Sequence, residues 1–283
     1  MNTLTAAIVA IAARLGESVA PARYQYACPA GAGAFNDALA VDQTRGAYIV
    51  TGMSARSVNS GNNDLGTDSG TITMKLSQGG QVYVDKVHSA AVMLNEGVEP
   101  DLEHPEWGAP IIIDEGGKLL IDANQGAANN FVDGDAINFA GVHVPQRVAD
   151  LVRLHLGELR AYVLNLSSTA TTASADEKQP DEDIIVDKFS RLSPDGSAQV
   201  VTRLSVSVDG FELFPRSPKT TAAIPAHYEA PGSLVSLRVP RGRRIQGRQE
   251  TTGTVGTYVG FLGRTVPAVP LDPPPFPIPA ARR

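Results

Sequence analysis

Turn signals punctuate this chain so often that long regular elements are ruled out over most of its length. Gln78-Gly79-Gly80, Glu115-Gly116-Gly117, Ser193-Pro194-Asp195-Gly196 and Val208-Asp209-Gly210 all join short runs of apolar and β-branched residues. Glycine at such points reaches backbone conformations that other residues avoid, and a Pro-Asp-Gly step presets a tight turn. The runs between them alternate. Thr71–Leu76 puts Ile72, Met74 and Leu76 at every second position, and 202–208 repeats the pattern. A period of two marks a strand with one buried face. Comparable runs fall at 38–42, 47–52, 81–88, 91–94, 110–114, 118–122, 136–143, 183–189, 198–208, 211–214, 234–239 and 253–261. Ten or more short strands predict a mainly β chain of antiparallel β-sandwich or jelly-roll type.

Two segments read as helices. Over 3–15, Leu4, Ile8, Ile11 and Leu15 lie on one face of a 3.6-residue period, and Gly16 and Pro21 end the run. So short a helix is not stable alone. Its apolar face must rest on its own domain, on a neighbouring subunit or on a membrane surface. Pro145 opens a second helix over 145–156, followed by a strand at 159–166. From 22 to 35 the Gly/Ala-rich chain reads as a loop. Its GAGAF lacks the third glycine and the strand–helix setting of a dinucleotide fingerprint.

The stretch 167–183, SSTATTASADEKQPDED, has no period and nothing bulky to bury. It reads as an acidic linker or surface loop. It divides the chain into an N-terminal helix or arm (1–21), a first β unit (22–166), a second β unit (184–266) and an extended arm (267–283). The 18 residues 215–232 hold four prolines and read as an irregular connection. The arm holds seven prolines, a composition that excludes it from a sheet interior or a helix and favours polyproline II.

Charge is split along the chain. Residues 1–166 hold 10 Lys+Arg against 18 Asp+Glu, net −8, whereas residues 190–283 hold 12 against 6, net +6. Such a dipole suits complementary packing between units or between subunits. The single cysteine, Cys28, excludes an internal disulfide. No stretch approaches the roughly 20 apolar residues of a membrane-spanning helix. The start lacks the basic n-region of a secretory signal and is expected to be retained.

Candidate chemistry is sparse. Glu96, Glu99, Asp101, Glu103, His104 and Glu106 surround Trp107, the one tryptophan. A carboxylate pair beside an aromatic platform suits carbohydrate, and His104 with carboxylates suits a metal, but a solvated acidic loop anchored by Trp107 explains them as well. Asn129, Asp133 and Asp135 match no EF-hand spacing. His88, His143, His155 and His227 are scattered, and no G-x-S-x-G elbow or HExxH occurs. No catalytic residue, cofactor or metal site is therefore assigned. The basic run RVPRGRRIQGR carries Arg238, Arg241, Arg243, Arg244 and Arg248. Arginine forks suit phosphate and carboxylate alike. Acidic segments of neighbouring subunits are the favoured partners, and 167–183 offers a contact surface to such a run in its own chain or on a neighbour. Nucleic acid is less favoured, since the protein is acidic overall and the run lacks interleaved aromatics.

These features predict a structural subunit rather than an enzyme. It would be a coat protein of a viral or phage-like particle, assembled in the host cytoplasm into the virion. Its partners would be itself, as a homo-oligomer with a trimer among the candidate forms, and other particle proteins. Two sandwiches in one chain of this length are similar in architecture to a compact double jelly-roll coat subunit. The expected subunit contacts are Leu4, Ile8, Ile11 and Leu15 on the helix, Arg241, Arg243, Arg244 and Arg248, and Pro273, Pro274, Pro275 and Phe276 on the arm. A decoration, spike or tail component, and a carbohydrate-binding or hydrolytic β-sandwich using the Trp107 loop, are the alternatives.

Overall fold

The computed structural model describes residues 3–27, 36–56, 71–76, 82–88, 95–96, 108–123, 136–166, 174–192, 201–212, 227–229, 237–251 and 258–269. Over these the chain is mainly β, with antiparallel sheets and two α-helices, as the turn spacing predicts.

Helix α1 (Thr3–Arg14) forms where the 3.6-residue period runs, and its last turn closes with the Gly16 N–H on the Ala13 carbonyl. Helix α2 (Gln146–Leu156) follows Pro145, whose carbonyl accepts from Val148. Arg147 of α2 pairs with Glu17 just beyond α1, and the two helices lie against each other.

Three sheets occur among the described residues. In the first, β1 (Ala20–Ala27), β9 (Ala136–Val144), β3 (Ala47–Arg56) and β6 (Asn95–Glu96) follow in that order, and β7 (Ile111–Ile113) also pairs with β3. The second has nine strands. Its path is β15 (His227–Glu229), β12 (Ile184–Leu192), β18 (Tyr258–Thr265), β10 (Leu159–Asn165), β5 (Val82–His88), β4 (Thr71–Leu76), β8 (Lys118–Ala123) and β2 (Asn36–Ala40). A ninth strand, β16 (Leu237–Val239), pairs with the other end of β12 from β15. The third sheet orders β11 (Ser174–Lys178), β17 (Ile245–Thr251), β13 (Val201–Val208) and β14 (Phe211–Glu212). Pairing is antiparallel except for β3 with β6 and β10 with β5.

The hydrophobic core has two parts. The first gathers Leu4, Ile8 and Ile11 of α1, Val148 and Val152 of α2, and apolar residues of β3, β7, β8 and β9, with Leu159, Ala161 and Leu262. The second gathers Leu164, Leu166, Ile184, Val186, Val206, Val239, Ile245 and Phe261. There the nine-stranded and four-stranded sheets face each other so closely that a methyl on Gly247 would press on Leu164. Leu164 and Leu166 belong to the second core and Leu262 to the first, and the nine-stranded sheet takes strands from both sides of residue 166. Strands β10 and β18 each serve both cores.

A glycine faces the bulge in two of the strand pairings that carry a register shift. The register of β3 on β9 shifts between Val50 and Gly52, opposite Gly141. That of β12 on β18 shifts between Val186 and Lys188, opposite Gly263. A side chain on Gly141 would strike the Ile49 carbonyl, and one on Gly263 the Ile185 carbonyl. The extra residue of each bulge pushes backbone toward its neighbour, and only glycine leaves the room.

Several expectations change. The loop expected from residue 22 begins instead as β1, whose Ala22, Tyr24 and Tyr26 point inward while Arg23 and Gln25 are exposed. The stretch 167–183 is no plain linker, because residues 174–178 pair with β17 along their whole length. The irregular connection at 215–232 includes β15. The strand expected at 91–94 lies outside the described residues.

Candidate functional site

The helix residues expected at a subunit contact are mostly used within the chain. Leu4 and Ile8 are 0% exposed and Ile11 3%, all in the first core, while Leu15 remains 37% exposed. The correction has a simple cause. The helix finds α2 and β9 next to it, and burial there removes its apolar stripe from any partner. Pro273, Pro274, Pro275 and Phe276 lie outside the described residues, as do Cys28, Trp107 and the acidic residues 99–106, Asn129, Asp133 and Asp135.

The arginine run spans β16 of the nine-stranded sheet, β17 of the four-stranded sheet and the turn that joins them, and acidic residues on two sides grip that turn. Asp183, at the end of the acidic stretch, accepts from the Arg241 backbone N–H at 2.9 Å and from the Arg238 guanidinium at 2.6 Å. Asp209 accepts from the Arg244 N–H at 3.0 Å and from Arg243 at 2.6 Å. Both carboxyls are held below their ordinary value, first by the backbone N–H and then by the guanidinium. Glu177 of β11 lies 3.6 Å from Arg244 and accepts from Gln246 at 3.1 Å. The Gly242 N–H donates to Pro180 at 2.9 Å and that of Arg243 to Pro240 at 3.1 Å. The acidic stretch therefore meets the arginine run inside one chain.

A second ionic chain lies deeper. Arg153 of α2 holds both oxygens of Asp114, at 2.8 and 2.9 Å, and Oε1 of Glu158 at 3.0 Å. Burial lowers the Arg153 pKa, but bonds to Asp114 and Glu158 outweigh it and the net shift is upward. Oε2 of Glu158 lies 3.4 Å from Arg160, and Arg160 also donates to Glu182 at 2.5 Å. The Arg160 side chain is 1% exposed and that of Glu158 6%. Opposite charges let two ionised groups be buried where one alone would not be tolerated. The chain ties the β7–β8 turn, α2, β10 and the segment before β12.

The root of the C-terminal arm is fixed beside this chain. The Val266 N–H donates to the Asp183 carbonyl and that of Val269 to the Leu154 carbonyl, both at 3.1 Å. His155 Nδ1 lies 2.8 Å from the Val269 carbonyl and so carries the proton there. Leu154 and Val269 are 37% and 45% exposed, so two of the three exposed large apolar residues among the described ones meet at this point.

His143 sits in an aromatic corner of the first sheet. Its Nε2 is 2.6 Å from the Tyr24 hydroxyl, and its ring centre is 5.0 Å from that of Tyr48. The Tyr48 hydroxyl donates to the Ala22 carbonyl at 3.1 Å. Burial, with Arg45 second, lowers the His143 pKa, and burial raises that of Tyr48. The corner joins β1, β3 and β9 in a closed, structural way. Among the described residues no group of three or more His, Cys, Asp or Glu could hold a metal ion. No helix there is long and apolar enough to cross a membrane.

Sequence reasoning finds the arginine run and its acidic partner stretch but misses Glu158, Arg160 and Asp209. Asp209 does carry a signal, since Asp before Gly at a turn aims its carboxylate at nearby backbone N–H groups. Glu158 and Arg160 carry none, because charge in a strand normally marks its exposed face.

No family model matches the chain, and no curated protein matches it. Among solved structures, one of Sulfolobus turreted icosahedral virus aligns over 88% of this chain and 94% of its own, at 11% identity and a TM-score of 0.18. One of infectious bursal disease virus, Gx strain, aligns over 89% and 74%, at 10% identity and a TM-score of 0.19. Both are structures of viruses, and superpositions this loose carry no argument about fold or function.

Proposed function

We propose that this chain is a non-enzymatic structural subunit of a viral or phage-like particle, assembling with copies of itself through its C-terminal arm. The observation that supports the reading is the anchored arm root. Three hydrogen bonds fix residues 266–269 to α2 and Asp183, and seven prolines within 267–283 keep the rest of the arm out of helices and sheet interiors. A segment that starts from a fixed surface point and favours an extended course is suited to reach a neighbour. A jelly-roll sandwich is the finer reading of the β architecture, and a coat role is preferred to a decoration, spike or tail role. The mature subunit would reside in the virion after assembly in the host cytoplasm.

Light scattering with size-exclusion chromatography, and electron microscopy of the purified protein, test the reading. Oligomers or particles are expected for the full chain and their loss on removal of 270–283, with an unchanged circular dichroism spectrum. A chain that stays monomeric up to high micromolar concentration, with or without these residues, overturns it.

A further inference from the structure

We infer that the turn between β16 and β17 and the adjoining outer face of the four-stranded sheet are a contact surface for an acidic segment of a second copy of this chain, with Arg241 and Arg248 as its cationic anchors. The inference rests on the assembly reading and names the surface that would serve it.

Local charge is the first ground. Arg238, Arg243 and Arg244 are matched by Asp183, Asp209 and Glu177. The side chains of Arg241 and Arg248 are exposed and have no acidic partner among the described residues. Arg241 gives its backbone N–H to Asp183, which leaves its guanidinium free to meet another partner. Of the five arginines of the run, three are thus paired, which leaves Arg241 and Arg248 for another carboxylate.

Geometry is the second. Along β17, Ile245, Gly247 and Gln249 are buried, so Gln246 and Arg248 stand on the outer face. The residues directly across from Arg248 are Ala175 on β11 and Ser205 on β13, while Gln246 stands between Glu177, which it holds, and Ser207. Small side chains around a long one leave the guanidinium fork accessible to a carboxylate. The turn is already held by hydrogen bonds from four of its own backbone N–H groups, so little freedom is lost when it binds.

The occupant is identified by the composition of the chain itself. Residues 95–106, NEGVEPDLEHPE, carry carboxylates but no Lys or Arg, within a first portion of net charge −8. Nucleic acid would have to approach a protein of net charge −6, which opposes long-range attraction.

The test uses the full chain and a fluorescein-labelled synthetic peptide of residues 95–107, whose anisotropy reports binding. Saturable binding is expected, weakening as salt rises, and falling on the order of tenfold in Arg241→Glu/Arg248→Glu. A peptide with its acids changed to amides should not bind. Equal binding by the variant or by the amide peptide overturns the inference, as does no binding by the native chain. A single-stranded oligonucleotide that outcompetes the peptide also overturns it, reassigning the surface to nucleic acid. Light scattering separates the two readings. A chain that stays monomeric even though it binds the peptide sinks both, since no second copy is then held. One that assembles unchanged in Arg241→Glu/Arg248→Glu keeps assembly and sinks this surface.

Discussion

Arg160 buries a full positive charge on a strand whose other inward residues are apolar, and its neutralisation depends on Glu158 and Glu182. Removing one member of such a set leaves the rest desolvated without compensation, which is the costly direction. Arg160→Met should therefore destabilise the fold by about 3 kcal/mol, read from the urea midpoint. A loss below about 1 kcal/mol, the range of an exposed ion pair, would show that the chain of charges adds little. His143 gives a residue-scale test of pH. Its folded pKa lies below the ordinary imidazole value, so the unfolded chain takes up the proton first. The stability tied to the neutral ring is complete above about 6.5 and is lost as pH falls through the folded value. Native stability should fall on acidification from pH 7 more steeply than that of His143→Gln. Parallel pH curves for the two would remove His143 as the cause.

At the scale of elements, legibility in the sequence tracks side-chain periodicity. Both helices and strands such as β3 and β13 show their buried face as a repeating apolar pattern. Strand β1 has one too, Ala22-Tyr24-Tyr26, but Pro21 and the glycine-rich stretch after it mask the signal. Strands β11 and β17 have none. SADEK has nothing apolar beyond alanine, and the inward side of IQGRQET is Ile245, Gly247 and Gln249. These two are strands because their backbones pair with each other and because Gly247 admits Leu164 and Leu166, while Gln249 donates to the Leu166 carbonyl. Such relations join distant residues and leave no local mark. The same limit applies to the site. The arginine run is visible as composition, but which arginines are matched and which are left over depends on Asp183 and Asp209 arriving from elsewhere. Helix α1 makes the opposite point, since its stripe is legible while its target is not. With Ile8 wholly buried, Ile8→Ala should cost about 3 kcal/mol in equilibrium denaturation. A cost under about 1 kcal/mol would mean that the helix rests loosely on the sheet and could serve a neighbour after all.

At the scale of the whole molecule, two cores are joined by two strands that neither can give up. Leu159 and Ala161 of β10 lie in the first core and Leu164 in the second, and β18 divides Leu262 and Phe261 in the same way. Melting one core would pull apart the strands of the other. A single calorimetric transition is expected, with van't Hoff and calorimetric enthalpies in agreement. Two resolved transitions would show that the cores are independent. The position of β18 also sets a schedule for synthesis. Residues 159–165 emerge from the ribosome long before 258–265, yet β18 is their antiparallel partner along the whole of β10. Until then β10 presents an open hydrogen-bonding edge, the feature by which unfinished β chains join one another wrongly. Roughly one hundred residues of translation must pass before that edge closes, at about 5–20 residues per second. A chain interrupted in that interval would carry its most adhesive edge uncovered, so abundance in the cell would depend on how quickly the last third is translated.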